Sequence, residues 1–274
     1  MKQSLAASLA VVSAGVFADA PAERKDLPLW ELGAGIGGIS QVAYPGADEQ
    51  VSRVVPLPYV VYRGKRLRAE GEGAGLRAIR TETFELDVSV SGSLSSGSKS
   101  LKAREGMAKL PTLVELGPVG RWYLNGRQAS HRVTFKIPVR GVFEASDLGR
   151  HRGMALEPEI GLDHRAGAGW SYALGVSALL GDKRLGRTYY AVTPDEALPG
   201  RPAYEADAGL IAWRLKGSLS RQLSEDFRIF GFARIDSVAG SANRDSPLVR
   251  RTTGASVGVG LVYTFGRSTA RAVD

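Results

Sequence analysis

The 274-residue sequence contains no cysteine and only three histidines. The first absence removes disulfides, thiol nucleophiles and thiolate metal sites, and it leaves the compartment open. The second leaves little for imidazole chemistry. His131, His151 and His164 are each followed by arginine, in "SHRV", "RHRG" and "DHRA", and none stands in a short His-x-Ser pattern. Acyl hydrolysis of the Ser–His kind needs both groups in reach and oriented by a third. No His-rich or Asp-x-Asp spacing points to a metal either. No catalytic residue, metal or cofactor is therefore expected. Beyond the N-terminus no apolar run approaches the length of a membrane-spanning helix, about 18 residues. That absence does not touch a membrane barrel, whose strands alternate and so average to ordinary hydropathy.

What the chain does have begins at its first residues. "MKQSLAASLAVVSAGVFA" carries a basic Lys2, an apolar run from Leu5 to Phe17 and small residues before a cut. It reads as a secretory signal peptide over 1–18, cleaved after Ala18, because the apolar run is too short to span a bilayer. Loss of Lys2 takes the formal charge of +8 to 8 − 1 = +7. Export makes nucleic acid an improbable target for this basic chain, and no nucleic-acid partner is expected.

The rest of the sequence alternates with period 2. In "ASVGVGLVYTF" (255–265) the odd positions Ala255, Val257, Val259, Leu261, Tyr263 and Phe265 are apolar, and most even ones are small or weakly polar. "FELDVSVSGSL", "WSYALGVSALL", "VTFKIPVRGVF", "MALEPEIGL", "GLIAWRLKGSL" and "FRIFGFARID" repeat the pattern. Such alternation means strands with two different environments. A soluble sandwich gives the same pattern with the apolar face inward. Three features favour lipid on that face instead. The strands are long enough to cross a bilayer when tilted. Aromatics (Trp30, Tyr59, Tyr62, Trp122, Tyr123, Trp170, Tyr172, Tyr263, Phe265) gather toward strand ends, as in interfacial girdles. The polar face mixes both charge signs with glycine, which suits a narrow lumen crossed by ion pairs.

The expectation is an all-β fold, an antiparallel transmembrane β-barrel over 29–265 in a Gram-negative outer membrane. A polar segment at 19–28 precedes it and a polar tail at 266–274 follows. Strands are expected near 29–42, 52–63, 66–77, 83–95, 112–125, 131–144, 153–165, 169–181, 204–221, 226–238 and 253–265. An even number is required, so twelve is the expectation, with ten as the alternative. The weak places are 66–77 and 188–192, the latter a candidate extra strand. Pro56 and Pro58 fall inside a strand of a closed barrel, where no edge excuses a missing N–H, and predict a bulge or strand end. Long loops near 96–111, 182–203 and 239–252 fall on the outer side.

Carboxylates cluster at Glu157, Glu159 and Asp163 and at Glu85 and Asp87. The reading preferred to acid–base work is salt bridging across the lumen to Lys136, Arg140, Arg214, Lys216, Arg228 and Arg234. Lys99, Lys102, Arg104, Lys109, Lys183, Arg184 and Arg187 belong to the outer loops, where they would meet the phosphates of lipopolysaccharide. The stretch most expected to be functional is "YYAVTPDEALPGRPAY", with candidate residues Tyr189, Tyr190, Thr193, Pro194, Gly200, Pro202 and Tyr204. Thr193-Pro194-Asp195-Glu196 reads as an N-cap followed by a short helix closed by Pro199-Gly200, folded over or into the barrel mouth.

"LGAGIGGISQVAYPGADEQ" (32–50), "VVPLPYVVYRG" (54–64), "YYAVTPDEALPGRPAYEA" (189–206) and "DSPLVRR" (245–251) before the last strand occur in that order. With these segments the chain resembles the MltA-interacting protein (MipA/OmpV) family of outer-membrane proteins. The resemblance implies a non-enzymatic barrel at the outer-membrane lipid that binds a murein hydrolase, a lytic transglycosylase, and couples it to a murein synthase. A narrow channel or solute-binding barrel is the alternative, and a lipid-modifying enzyme is the least supported reading. The family usually ends at the aromatic residue of its last strand, whereas nine residues follow Phe265 here.

Overall fold

The structure is a computed structural model that describes residues 27–70, 73–93, 101–165 and 169–272. The signal peptide, its cleavage after Ala18, residues 19–26 and Lys99 lie outside the described residues. The chain forms β1 (Trp30–Val42), β2 (Gln50–Arg63), β3 (Leu67–Glu70), β4 (Gly73–Arg80), β5 (Phe84–Ser93), β6 (Leu113–Tyr123) and β7 (His131–Glu144). It continues with β8 (Asp147–Leu156), β9 (Glu159–Arg165), β10 (Trp170–Gly181), helix α1 (Lys183–Tyr190), β11 (Gly209–Gln222), β12 (Phe227–Ser237) and β13 (Thr253–Arg267). Each strand pairs antiparallel with its neighbours, and β13 returns to pair with β1, which closes the wall.

Thirteen segments make twelve staves. β8 and β9 are halves of one stave, interrupted at Glu157-Pro158, and the register runs straight through the break. Val139 faces Leu156 and Lys136 faces Glu159 on one side, while Leu180 faces Leu156 and Ser177 faces Glu159 on the other. The twelfth stave comes from the weak segment at 66–77, which divides into the short hairpin β3–β4. The other candidate, 188–192, is no strand: it holds the end of α1 and an isolated bridge from Val192 to Tyr204. β11 starts at Gly209, five residues later than the alternation suggested.

The question of which face meets lipid is answered by an inversion of the usual burial. Val54, Val257, Val259, Leu174, Val176, Ile160 and Phe265 are all more than half exposed, whereas Glu31, Arg63, Glu85, Arg132, Asp163 and Asp236 are buried. A water-soluble fold does the reverse. Apolar side chains outward and charges inward is what a hydrocarbon surround demands. Most outward aromatics gather at the end that carries the short turns, while the half-exposed Trp213 stands at the long-loop end of β11. Phe84, Trp122 and Phe135 pack there as tilted rings with centroids 4.9 and 5.8 Å apart, as do Phe227 and Tyr263 at 4.8 Å. His131 and His164 stack in the same belt at 3.8 Å beside Tyr172. Tyr59 and Tyr123 do not belong to this girdle. Both turn inward, where their hydroxyls donate to Glu31 at 3.3 Å and Glu85 at 3.1 Å.

Inside, glycines of β13 seat aromatic rings of β12. A Cβ on Gly258 would collide with the Phe232 ring, and one on Gly260 with Phe230. Val262 and Leu57 pack beside Phe230. Gly258→Val is expected to destabilise the barrel by about 1 to 3 kcal/mol through overpacking. The check is a lowered temperature for the loss of the fast-migrating folded band on a gel.

The prolines of β2 require neither a bulge nor a strand end. β2 pairs with β1 from Gln50 to Tyr62 without a register shift, but with β3 only at Tyr62 and Arg63. Arg63 N–H donates to Leu29 O on the β1 side at 2.7 Å. N–H direction alternates along a strand, so the even-numbered residues, Pro56 and Pro58 among them, aim away from β1. They aim at an edge that has no partner among the described residues, because β3–β4 stops short. An unpaired N–H at membrane depth costs several kcal/mol, and a proline there has none to leave unpaired.

The tail does not leave the wall at Phe265. β13 runs on to Arg267, Pro28 bridges Arg271, and the N–H groups of Leu29 and Ala272 donate to Ala270 O and Leu27 O.

Candidate functional site: a stoppered mouth above a charged lumen

At the end opposite the termini four loops pack into one apolar stopper. They are 43–49, the described part of 94–112, 182–208 and 238–252. The buried side chains include Tyr44, Leu101, Leu110, Leu185, Tyr189, Tyr190, Val192, Ala206 and Leu248, packed against Val51, Leu113, Val142 and Ile211 from the strand ends. Local sequence explains the helix at its centre. Asp182 caps α1 by accepting from Leu185 N–H at 2.8 Å, and the helix buries Leu185, Gly186, Tyr189 and Tyr190.

Tyr190 ties three loops together. It is fully buried, its hydroxyl donates to Pro45 O at 3.0 Å, and its carbonyl accepts from Ser246 Oγ at 2.7 Å. Tyr44 meets it edge-on at 6.4 Å and donates to Leu248 O at 2.7 Å. Arg104 brings in the fourth loop by donating to Tyr189 O at 3.0 Å. Arg201 adds a second tie, donating to Ala103 O, Glu105 O and Glu196 O. Asn243 fixes the base of the long loop, bonding both backbone groups of Asp207 at 2.9 Å and accepting from Tyr204.

Of the sequence-derived candidates, the structure brings Tyr189, Tyr190 and Tyr204 into or against the stopper. Thr193, Pro194, Gly200 and Pro202 stand exposed on its outer surface. The helix expected after Thr193 is a single 3-10 turn, Pro194–Glu196, in which the Glu196 carboxylate accepts from Thr193 N–H and Oγ1. Gly200, at φ +85°, closes the tight turn in which Leu198 and Arg201 exchange backbone bonds. The sequence reading missed the helix itself, although Asp182 before a basic run was a readable cap. It also missed Arg201, Asn243 and Leu248, whose roles depend on loops far apart in the chain.

Burial raises the Tyr44 phenol from 10.0 to about 12 and the Tyr190 phenol well above its ordinary value. A phenol harder to ionise when folded gives stability that is whole below pH 10 and is lost as pH rises toward 12. Alkaline titration is therefore expected to loosen the stopper while the barrel wall persists. Tyrosinate absorbance should lag behind that of an unfolded control, and protease should begin to cut within 182–208 over the same pH window.

Below the stopper the lumen is crossed by ion pairs. Glu157 takes Arg214 at 2.8 Å and Lys216 at 2.7 Å. Glu159 takes Lys216 at 2.6 Å and Lys136 at 3.3 Å. Asp236 holds Arg214 at 3.0 Å and Arg234 at 2.9 Å. Nearer the termini Arg132 pairs with Asp163 at 3.0 Å, Arg77 with Glu85 at 3.3 Å and Arg63 with Glu31 at 2.7 Å. Two of the expected cations do something else: Arg140 donates to Ser89 O, and Arg228 to Gln222 and Tyr59. Between network and stopper lies a cavity of about 230 Å³, lined by Glu115, Lys136, Arg140, Glu157, Glu159, Arg214, Lys216 and Arg234 among others. Among the described residues no group of three His, Asp or Glu is arranged to hold a metal ion.

A closed antiparallel barrel with a lipid-facing apolar wall and a charged interior is an outer-membrane β-barrel protein of a Gram-negative envelope. Residues 32–265 match the family described as MltA-interacting protein MipA, and the chain belongs to that family. Among solved structures it is similar to the NanC porin, at 9% identity and TM-score 0.42 over 84% of this chain and 98% of that one. It is similar to the KdgM porin in complex with disordered oligogalacturonate, at 10% identity and TM-score 0.42 over 85% and 99%. An outer membrane channel from Pseudomonas putida F1 aligns at 11% identity and TM-score 0.34 over 89% and 99%. A search of curated proteins found no match.

Proposed function

We propose that the protein is a non-enzymatic scaffold that holds a lytic transglycosylase at the outer membrane and couples it to a murein synthase. The observation that carries this reading is the match to the MltA-interacting family over nearly all of the barrel. The mouth supports it, since among the described residues four loops pack there into one apolar core. The contact surface is the rim that carries the termini and short turns. There the two chain ends zip together through Pro28 and Arg271, and Leu124 and Leu223 stand exposed on turns. The outer rim meets lipopolysaccharide through the exposed Lys102, Lys109 and Arg184. Lys183 and Arg187, also expected there, are engaged by Glu205 at 2.9 and 2.8 Å, and Arg104 is turned into the stopper.

The test is an envelope pull-down. The mature barrel, purified in mild detergent and checked by its heat-dependent gel shift, is crosslinked to periplasmic extract. Recovery of a lytic transglycosylase is expected, with loss of recovery when 266–274 is deleted and Leu124 and Leu223 are replaced by serine. An intact barrel that captures no murein enzyme overturns the scaffold. The charged 230 Å³ cavity favours a second reading, a solute-binding barrel, which solute titration against the same preparation would address.

A further inference from the structure

The cavity between the stopper and the ion-pair network has two unlike ends. Toward the long loops it is bounded by the underside of the stopper, where Val142, Leu179, Leu185 and Tyr189 line it. Its other end is the charged network. At about 230 Å³ it falls below the range of roughly 300 to 1,000 Å³ that takes drug-sized ligands. It has the liquid volume of about eight waters, which suits one small amphipathic solute.

The charges on its wall are not equally engaged. Lys136, Arg214, Lys216 and Arg234 are taken up by Glu157, Glu159 and Asp236 at 2.6 to 3.3 Å. Arg140 and Glu115 line the same cavity and stand outside those pairs. Arg140 is 8% exposed, and among the described residues its side chain makes one hydrogen bond, from Nη1 to Ser89 O at 2.9 Å. A carbonyl supplies no counter-charge, and a buried charge is costly until it is paired. Register fixes where Glu115 sits. It faces Val142 across β6 and β7, so Arg140 is its diagonal neighbour on the same inward face, about 7 to 8 Å away between Cα atoms. No ion pair joins the two among the described residues. Leu113 and Val142, next on the same two faces toward the loops, are buried in the stopper. A cation and a carboxylate therefore stand side by side directly beneath apolar side chains.

We infer that this cavity binds an apolar α-amino acid. The ligand carboxylate pairs with the Arg140 guanidinium and its ammonium with the Glu115 carboxylate. Its side chain packs against Val142, Leu185 and Tyr189 under the stopper. Such a ligand gives Arg140 a counter-charge and adds no net charge to a lumen already crossed by ion pairs. An anion alone leaves Glu115 unmatched, and an amine alone does the same to Arg140. This rests on the reading of the chain as a solute-binding barrel and is independent of the scaffold.

A series of ligands with one branched chain tests it. The mature full-length barrel, in mild detergent and checked by its gel shift, is titrated calorimetrically with leucine, 2-hydroxy-4-methylpentanoate, 4-methylpentanoate and 3-methylbutylamine. Leucine is expected to bind tightest, by about tenfold over the hydroxy acid, the worth of one hydrogen bond to a charged group. Arg140→Gln is expected to weaken leucine and both acids alike, by about tenfold. Glu115→Gln should bring leucine down to the level of the hydroxy acid. Leucine binding unchanged in both variants overturns the site. Equal affinity for leucine and the two acids overturns the amino acid and leaves an anion site. An amine that binds as tightly as leucine overturns the role of Arg140. The ligand series is read on the wild type, so it decides the matter even where a variant fails to fold. Silence toward all four, with binding of inorganic phosphate or glucose, overturns the amino acid alone. Silence toward those as well overturns the solute-binding barrel beneath it.

Discussion

Asp236→Ala is expected to destabilise the barrel by about 3 kcal/mol, the cost of removing one partner from a buried ion pair. Asp236 is 1% exposed and accepts from Arg214 at 3.0 Å and Arg234 at 2.9 Å. Its loss leaves Arg234 facing the lumen without that carboxylate, while Arg214 keeps Glu157 at 2.8 Å. The retained pair places the effect at the low end of what such removals cost. Asp236→Asn keeps an acceptor without the charge and should lose less. If the cost is an uncompensated charge rather than lost packing, Asp236→Leu combined with Arg234→Leu should recover most of the stability. The measurement is the temperature at which the folded band disappears, taken for all three variants in one detergent. A double variant no better than Asp236→Ala would assign the effect to packing.

The second large effect concerns the mouth. Replacing 183–206 by a short glycine-rich turn is expected to convert an electrically silent barrel into one that shows resolved conductance steps. The replacement is sterically simple because Gly181 and Gly209 already face each other as partners across β10 and β11. It removes Leu185, Tyr189, Tyr190, Val192 and Ala206 from the stopper at once. The lumenal pairs of Glu157 and Glu159 with Arg214, Lys216 and Lys136 come from strands and stay. A conducting pore lined by both signs of charge is the expected product. A deletion that folds, by its gel shift, and remains silent would move the barrier from the stopper to the ion-pair network. Tyr190→Ala is a milder version, since it leaves the Pro45 carbonyl and the Tyr44 ring without their partner.

These two predictions divide the molecule as the sequence divided it. The strands were legible because each one sits between the same two media. A side chain two positions on meets the same environment, so 131–144, 30–42 and 253–265 announce themselves by local alternation alone. The lumenal pairing was half legible: alternation put Glu157, Glu159, Arg214 and Lys216 on inward faces, but which charge meets which depends on register. Arg140 and Arg228 left the expected carboxylates for a carbonyl, an amide and a phenol. Pro56 and Pro58 were read as a breach of strand rules because a closed barrel was assumed to have no edge. The rule held, since among the described residues β3 pairs with β2 only at Tyr62 and Arg63 and no ladder partner calls on the nitrogens of Pro56 and Pro58.

By itself the sequence determined the class of protein and the side of each strand that faces lipid. Those features are written in near-neighbour periodicity, which one chain displays without knowledge of its fold. The tertiary structure alone decided that Tyr44, Arg104, Tyr190 and Leu248 form one stopper, although the hydrogen bonds that join them span as much as 204 positions. It alone decided how far β3 and β4 pair along β2 among the described residues. Both depend on where strands end relative to one another, and strand stagger in a sheared barrel is a property of closure that no local pattern encodes.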